Sequence, residues 1–557
     1  MVTWVLDRRA VVACGTLLWT ACSGVVDVGN SGLSGAGSEG GATSDTPGAT
    51  VTSGGDASAD GDAGDSGTTG SVDPDGDGSS GGNVFDVADV PPPPSGFPET
   101  CAEAESAQSS IGCTFFPIVP SFASGPQAAF VVANVSPEVA HVELSDGSSI
   151  VAQADVEPGE THELIVSADR RVNYLSGEVG EAGYELTSDR PLQAYAYFPY
   201  GNPTLTSNDA SLLLPGPALG TRHRVVNYEA QSAIPDQHVT VVATEDDTEV
   251  TLRLVHPGAT TEAGAGIPAL DFDAGQDTLT VTLDRLEHLS VRAWEQVDGE
   301  TNPFHGSVVE SSAPVAVYSG VFTKIGGGAP ESIHTVVPPT AVYGDRYAAA
   351  TFVPVGNAED VWRIVADVDD TVVTLTGGVN DVVELDAGEI HEVVTPASFW
   401  AEGTHAFGLV HFMSGSSASP AVVPHDCPEE SLGGPGDPAM GWMFPVDNWI
   451  HRHVMPVAVQ AYFRPGPGTD IWCHNHLTVV APRSAWDEIT VDGDPLPQAF
   501  DIGHEDFAYT YVPVAEGNHE LVAPDHVGVL VDVYGFVNHG SYYYAGGMGL
   551  QTLNPEG

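Results

Sequence analysis

Two short segments, His425-Asp426-Cys427 and Trp472-Cys473-His474-Asn475-His476, together hold two cysteines and three histidines. Thiolate and imidazole are the ligands of a tetrahedral zinc site. A disulfide between Cys427 and Cys473 uses the same sulfurs, and an oxidising compartment favours it. Period-two alternation along a strand would also place His474 and His476 on one face and Cys473 on the other. The expectation is therefore a disulfide and no metal.

Three further dipeptides, His162-Glu163, His391-Glu392 and His519-Glu520, suggest the His-Glu-x-x-His helix of a zinc protease. That site needs a second histidine four residues on, and the positions hold Val166, Thr395 and Ala523 instead. Asp73-Pro74-Asp75-Gly76-Asp77-Gly78 begins like a calcium loop, but its twelfth position is Val84 and not the required bidentate glutamate. The one nucleophile-elbow match, Gly78-Ser79-Ser80-Gly81-Gly82, has no strand or helix around it to strain the serine. The pairs Asp246-Asp247 and Asp369-Asp370 precede strand-like runs, where aspartate caps its own backbone in a turn. No catalytic, cofactor-binding or metal-ligating residue is assigned, and the chain is expected not to be an enzyme.

The charge balance narrows the partners. Against 76 Asp and Glu stand 16 Lys and Arg, a formal net charge of −60, and Lys324 is the sole lysine. A phosphate backbone is bound by cations that displace its counterions, so nucleic acid is excluded as a partner. Such a charge keeps a protein soluble.

The amino terminus reads as an export address. Asp7-Arg8-Arg9 precedes an apolar run from Ala10 to Ala21, too short to span a bilayer, and Cys22 follows its small-residue end. This resembles the bacterial lipoprotein signal, which predicts cleavage after residue 21 and lipid attachment at Cys22; simple secretion is the alternative. Ser23, rather than aspartate, follows the cysteine and points to the outer membrane. Residues 22–98 are Gly, Ser, Asp, Thr and Ala closing on four prolines, with too little apolar surface to offset chain entropy, which predicts a disordered stalk. Its typical reach as a flexible chain is about 45–50 Å. Of the four cysteines beyond it, Cys101–Cys113 and Cys427–Cys473 form the connectivity with the shortest loops.

From residue 99 the texture is short runs of Val, Thr, Tyr and Leu between Gly, Pro and Asp, as in residues 238–243 and 278–283, which predicts an all-β class. The chain also repeats itself. Asp246-Asp247-Thr248 recurs at Asp369-Asp370-Thr371, shifted by 123 (369 − 246), and Ser188-x-x-Pro191-x-x-x-Tyr195 recurs at Ser311-x-x-Pro314-x-x-x-Tyr318 with the same shift (311 − 188). A third element, a turn carrying His-Glu, is read at Gly159–Leu164, Gly388–Val393 and Gly517–Leu521. A domain-sized period predicts tandem β-sandwich-like modules at 99–215, 216–338, 339–440 and 441–557. One larger closed β architecture, such as a propeller, is the alternative.

Residues 306–320, Val336-Val337-Pro338-Pro339-Thr340, Tyr343-Gly344-Asp345-Arg346-Tyr347, residues 208–215 and the closing Ser541–Met548 together resemble the IgGFc-binding protein N-terminal domain family, over roughly residues 113–557. The resemblance implies a non-enzymatic surface binding or adhesion protein. The expected partner is an extracellular protein or glycan, with the membrane met only through the amino-terminal lipid. A structural envelope or matrix component is the second reading, and a secreted hydrolase the third. Tyr542-Tyr543-Tyr544 beside Trp472 is the expected contact surface, with strand packing as the competing role for the tyrosines.

Overall fold

The structure is a computed structural model. It describes residues 96–557 except 121–126, 174–176, 199–208, 231–236, 294–303, 328–329, 357, 416–435, 458–473, 538–539 and 556. The export segment, Cys22, nearly all of the stalk, Trp472, Cys427 and Cys473 lie outside the described residues.

The first repeat holds β1 (Gly112–Phe115), β2 (Gln127–Asn134), β3 (Ala140–Ser145), β4 (Ile150–Val156), β5 (Thr161–Ser167), β6 (Glu178–Gly180), β7 (Glu185–Phe198) and β8 (Asp209–Leu212). The continuous apolar run of β2 is buried on both faces, whereas β3 alternates buried and open positions as a half-buried strand should. The first half of β7 pairs with β3 and β1, and its second half with β2 and β8. Adding β4 beside β3 and β5 beside β2 gives two antiparallel four-stranded layers joined through β7. The crossover falls at Ser188–Pro191, where proline has no N–H to give a ladder.

Residues 222–337 repeat every one of these pairings, with the long strand broken at Ser312-Ala313-Pro314 into Val308–Ser311 and Val315–Thr323. Residues 344–442 repeat them again around the 15-residue strand Phe399–Met413. Residues 452–545 do so a fourth time. The protein is thus all-β, four tandem sandwiches of one topology. In the third repeat the last strand, Ala439–Trp442, pairs with Phe399–Met413.

The sandwiches also close on themselves. Their last strands, β8, Glu331–Val337, Ala439–Trp442 and Gly540–Ala545, pack each on the next and the fourth on the first. Leu212, Val336, Trp442 and Tyr544 meet around a cavity of about 20 Å³, room for about one water. The axis is packed and is no channel. Ser109 bridges to Gly549, and the Ser110 N–H donates to the Met548 carbonyl at 2.8 Å, so the two ends of the folded part are tied. One buried core runs from Phe115 to Leu550 through all four repeats. Ahead of β1 lies a short helix, α1 (Cys101–Ala107), started by a Thr100–Glu103 capping box.

Candidate binding surface

Residues singled out by type serve the frame. Cys101 and Cys113 are disulfide-bonded, pinning α1 to β1. Asp247 and Asp370 sit at φ 55° and 57°, the left-handed turn conformation that aspartate tolerates. Their neighbours cap the facing turn: Asp246 Oδ1 accepts from the Arg285 N–H at 3.1 Å, and Asp369 Oδ1 from the Ala387 N–H at 3.0 Å. Asp492, at φ 53°, accepts in the same way from the Glu520 N–H at 2.9 Å.

The His-Glu dipeptides lie on strands rather than in turns, because the tight turn is taken by the preceding glycines at φ 77° and 86°, Gly159 and Gly388. Only the first two copies are equivalent, each on the strand that flanks the sandwich beside β2 or its counterpart Asp360–Ala366. Gly517–Val522 pairs with Arg452–Val457 and takes the place of the first half of β7, so the third copy is a coincidence of sequence. Glu392 and Glu520 are ion-paired to Arg363 and Arg452.

Tyr542, Tyr543 and Tyr544 are no contact surface. All three are at most 2% exposed, on the innermost strand of the fourth repeat. Tyr542 Oη donates to Asn475 Oδ1 at 2.8 Å and Tyr543 Oη to Asp532 Oδ1 at 3.1 Å. Burial raises the Asp532 carboxyl to about 7. His474 and His476 share a face, as alternation requires, and both stack on Phe536. Burial pushes each imidazole down to about 4.

Between repeats, polar groups act as fasteners. Asp367 is fully buried and accepts from Arg222 Nη1 at 2.5 Å, Arg224 Nε at 3.0 Å and Asn554 Nδ2 at 2.9 Å. Arg363 reaches from the third repeat to Glu229 of the second at 2.7 Å, with its guanidinium 4.3 Å from the centre of the Tyr228 ring. A further junction element escaped sequence comparison. Pro215, Pro339 and Pro445 each open a 3-10 turn, spaced by 124 (339 − 215) and 106 (445 − 339). Each packs on a glycine that begins or precedes the first strand of a repeat: a Cβ on Gly112, Gly220 or Gly344 would lie 2.3, 2.4 or 2.5 Å from the proline Cβ.

Among the described residues, a groove of about 560 Å³ beside the third repeat is open to solvent, a volume within the range of ligand sites. Asp345, Arg346, His405 and Asp447 line it, with Asn554 and Pro555 of the closing segment along one side. Arg346 Nη2 donates to both Asp447 oxygens, at 2.8 and 2.9 Å, and so holds two acceptors and its own spare donors at a fixed spacing. Such an arrangement can hydrogen-bond hydroxyls or amides of a polar ligand.

Residues 209–535 match the family described as IgGFc binding protein. The chain belongs to the IgGFc-binding family. The matched stretch begins at β8 and ends in Leu530–Val537, so it spans the second and third sandwiches and most of the fourth, with Asp345, Arg346, His405 and Asp447 of the groove inside it and Asn554 and Pro555 beyond it. No curated protein matches the chain. A crystal structure of a tetra-tandem repeat in the extending region of a large adhesion protein is similar at 11% identity and a TM-score of 0.09, over 80% of this chain and 95% of that one. A score that low carries no argument.

Proposed function

We propose that this protein is an exported, non-enzymatic binding protein that holds out a ring of four sandwiches on an acidic stalk and takes an extracellular protein or glycan. Membership of the IgGFc-binding family carries the reading, because that family is named for binding. The ring supports it: repeated sandwiches offer several similar outer surfaces, which suits weak contacts summed by avidity. The Asp345–Arg346–Asp447 groove is the proposed contact for a polar ligand.

Display follows from the amino terminus. Cleavage after residue 21, a lipid on Cys22 and residues 22–98 as stalk would set the ring outside the outer membrane. No helix among the described residues is long and apolar enough to cross a membrane. Within the ring, module edges near 215, 338 and 440 and a second disulfide, Cys427–Cys473, complete the proposal.

The experiment compares a deletion strain with strains carrying wild-type chain, Arg346→Ala or Cys22→Ala, in adhesion to immobilised extracellular proteins and glycans. Wild type should restore adhesion, Arg346→Ala should weaken it, and Cys22→Ala should lose both fatty-acid labelling and surface display. A deletion strain that adheres like its parent, or glycan or peptide turnover by the purified chain, would overturn the reading.

A further inference from the structure

The chain closes two of its own sheet edges by adding a strand. In the second repeat, the outer edge of His288–Ala293 is covered by β6, a segment of the first repeat: Val179 lies opposite Leu289 and Gly180 opposite His288. In the fourth, Phe500–Asp501 covers the corresponding strand Phe507–Val514. The counterpart in the first repeat is β5, and it ends its sheet with β2 on one side and no described strand on the other. By the order that lays β6 on the second repeat, the segment to cover β5 would come from the fourth. There the equivalent connection, between Phe507–Val514 and Gly517–Val522, is Ala515-Glu516, too short to reach it.

The open edge is also apolar. Ile165 on β5 is 39% exposed, and Ile150 and Val151 on β4, itself the last strand of its layer, are 50% and 42% exposed. The turn at 157–160 joins β4 to β5, and the two strands touch although they end different layers. Along the sequence of β4, β5 and the turns beside them lie Asp155, Glu157, Glu160, Glu163 and Asp169, five carboxylates against Arg170 and Arg171. An unpaired edge with apolar side chains is a template for another strand, and carboxylates on its rim select one that brings cations.

We propose that β5 is a docking edge for an extended, lysine- or arginine-rich segment of a partner protein, which adds to it as a strand. Backbone hydrogen bonds supply the affinity, the apolar side chains of the guest cover Ile165, Ile150 and Val151, and its cations meet the surrounding carboxylates. The inference rests on the first repeat alone and is independent of the groove.

The test uses the full chain and a fluorescent nine-residue peptide alternating lysine and valine, followed by anisotropy. Saturable binding is expected, weakened at least tenfold by Ile165→Lys and likewise by Val151→Lys, with thermal unfolding of both variants unchanged because both side chains are exposed. The same peptide N-methylated at every residue should not bind, since neither of its edges can then donate to a ladder. Equal binding of the methylated peptide, or of a glutamate–valine counterpart, would overturn the proposal. So would no binding by the wild type, or full binding by both variants.

Discussion

Tyr318 Oη donates to the Phe116 carbonyl oxygen at 2.8 Å, fastening the second sandwich to the first. Its counterpart one repeat earlier, Tyr195, donates to the Val454 carbonyl oxygen at 3.1 Å and fastens the first sandwich to the fourth. Tyr534 continues the direction, accepting from the Val353 N–H of the third sandwich at 3.0 Å. The repeated tyrosine of the Ser-x-x-Pro-x-x-x-Tyr element is thus a ring fastener. Tyr195→Phe and Tyr318→Phe should each cost about 1–2 kcal/mol in denaturant unfolding, since each leaves a buried carbonyl without its donor. A neutral result for both would show that apolar packing alone closes the ring.

The all-β class and the fourfold repeat were legible because strand runs and turn residues are local signals. Asp246 and Asp369 aligned because left-handed turn positions accept few residue types. The second-repeat copy of the Gly159 turn went unseen, since Leu286 occupies it at φ 67° and breaks the glycine pattern. The false third His-Glu copy passed because two residues carry little information without their pairing partners. Ring closure depends on contacts such as Ser110 with Met548, 438 residues apart, which no local pattern announces. The tyrosines of 542–544 left surface contact and strand packing both open, since their partners, such as Asn475, Met443 and Tyr197, are distant in sequence.

Acid should loosen the ring. Burial holds His223, His453 and His476 down to about 4, below the ordinary 6.5. A depressed histidine binds its proton more weakly folded than unfolded, so its contribution is fully present above pH 6.5 and falls as the pH drops toward 4. Asp532, raised to about 7, works the other way, costing stability as pH rises from about 4 to 7. His453 meets the Val529 and Ile450 carbonyls at 3.0 and 3.2 Å, contacts that glutamine can keep in part. His453→Gln should therefore flatten the stability–pH curve between 6.5 and 4 by about 1.4 kcal/mol per pH unit, one proton's worth. An unchanged slope would show that His453 takes up its proton as readily folded as unfolded.

The Cys101–Cys113 bridge spans 12 positions and ties α1 to the strand that begins the ring. Replacing both cysteines by serine should cost about 3 kcal/mol by loop-closure entropy. Peptide mapping of the non-reduced protein should recover the linked pair. Limited proteolysis should cut near residue 100 faster in the double variant; equal rates would mean that the capping box alone holds the helix.

Asp367 carries the most concentrated charge burial in the ring. Its carboxylate is 0% exposed and shared by Arg222 and Arg224 of the second repeat and Asn554 of the closing segment. Arg224 is itself 4% exposed, and burial lowers its pKa, opposed by the Asp367 hydrogen bond and charge. Removing the anion leaves the buried Arg224 without its carboxylate and Arg222 with only the Glu310 carboxylate at 3.7 Å, so Asp367→Asn should cost about 3–5 kcal/mol. Asn554→Ala removes a donor to an anion that keeps its two arginines, and should cost only about 1 kcal/mol. The closing segment also fastens through its backbone, with the Leu553 and Asn554 N–H groups donating to the Ala341 carbonyl at 2.9 and 3.0 Å. Truncation after residue 550 should therefore cost more than Asn554→Ala. A double-mutant cycle of Asp367→Asn with Asn554→Ala decides whether the tail and the arginines act as one network: a coupling of about 1 kcal/mol is expected, and strict additivity would place Asn554 outside it.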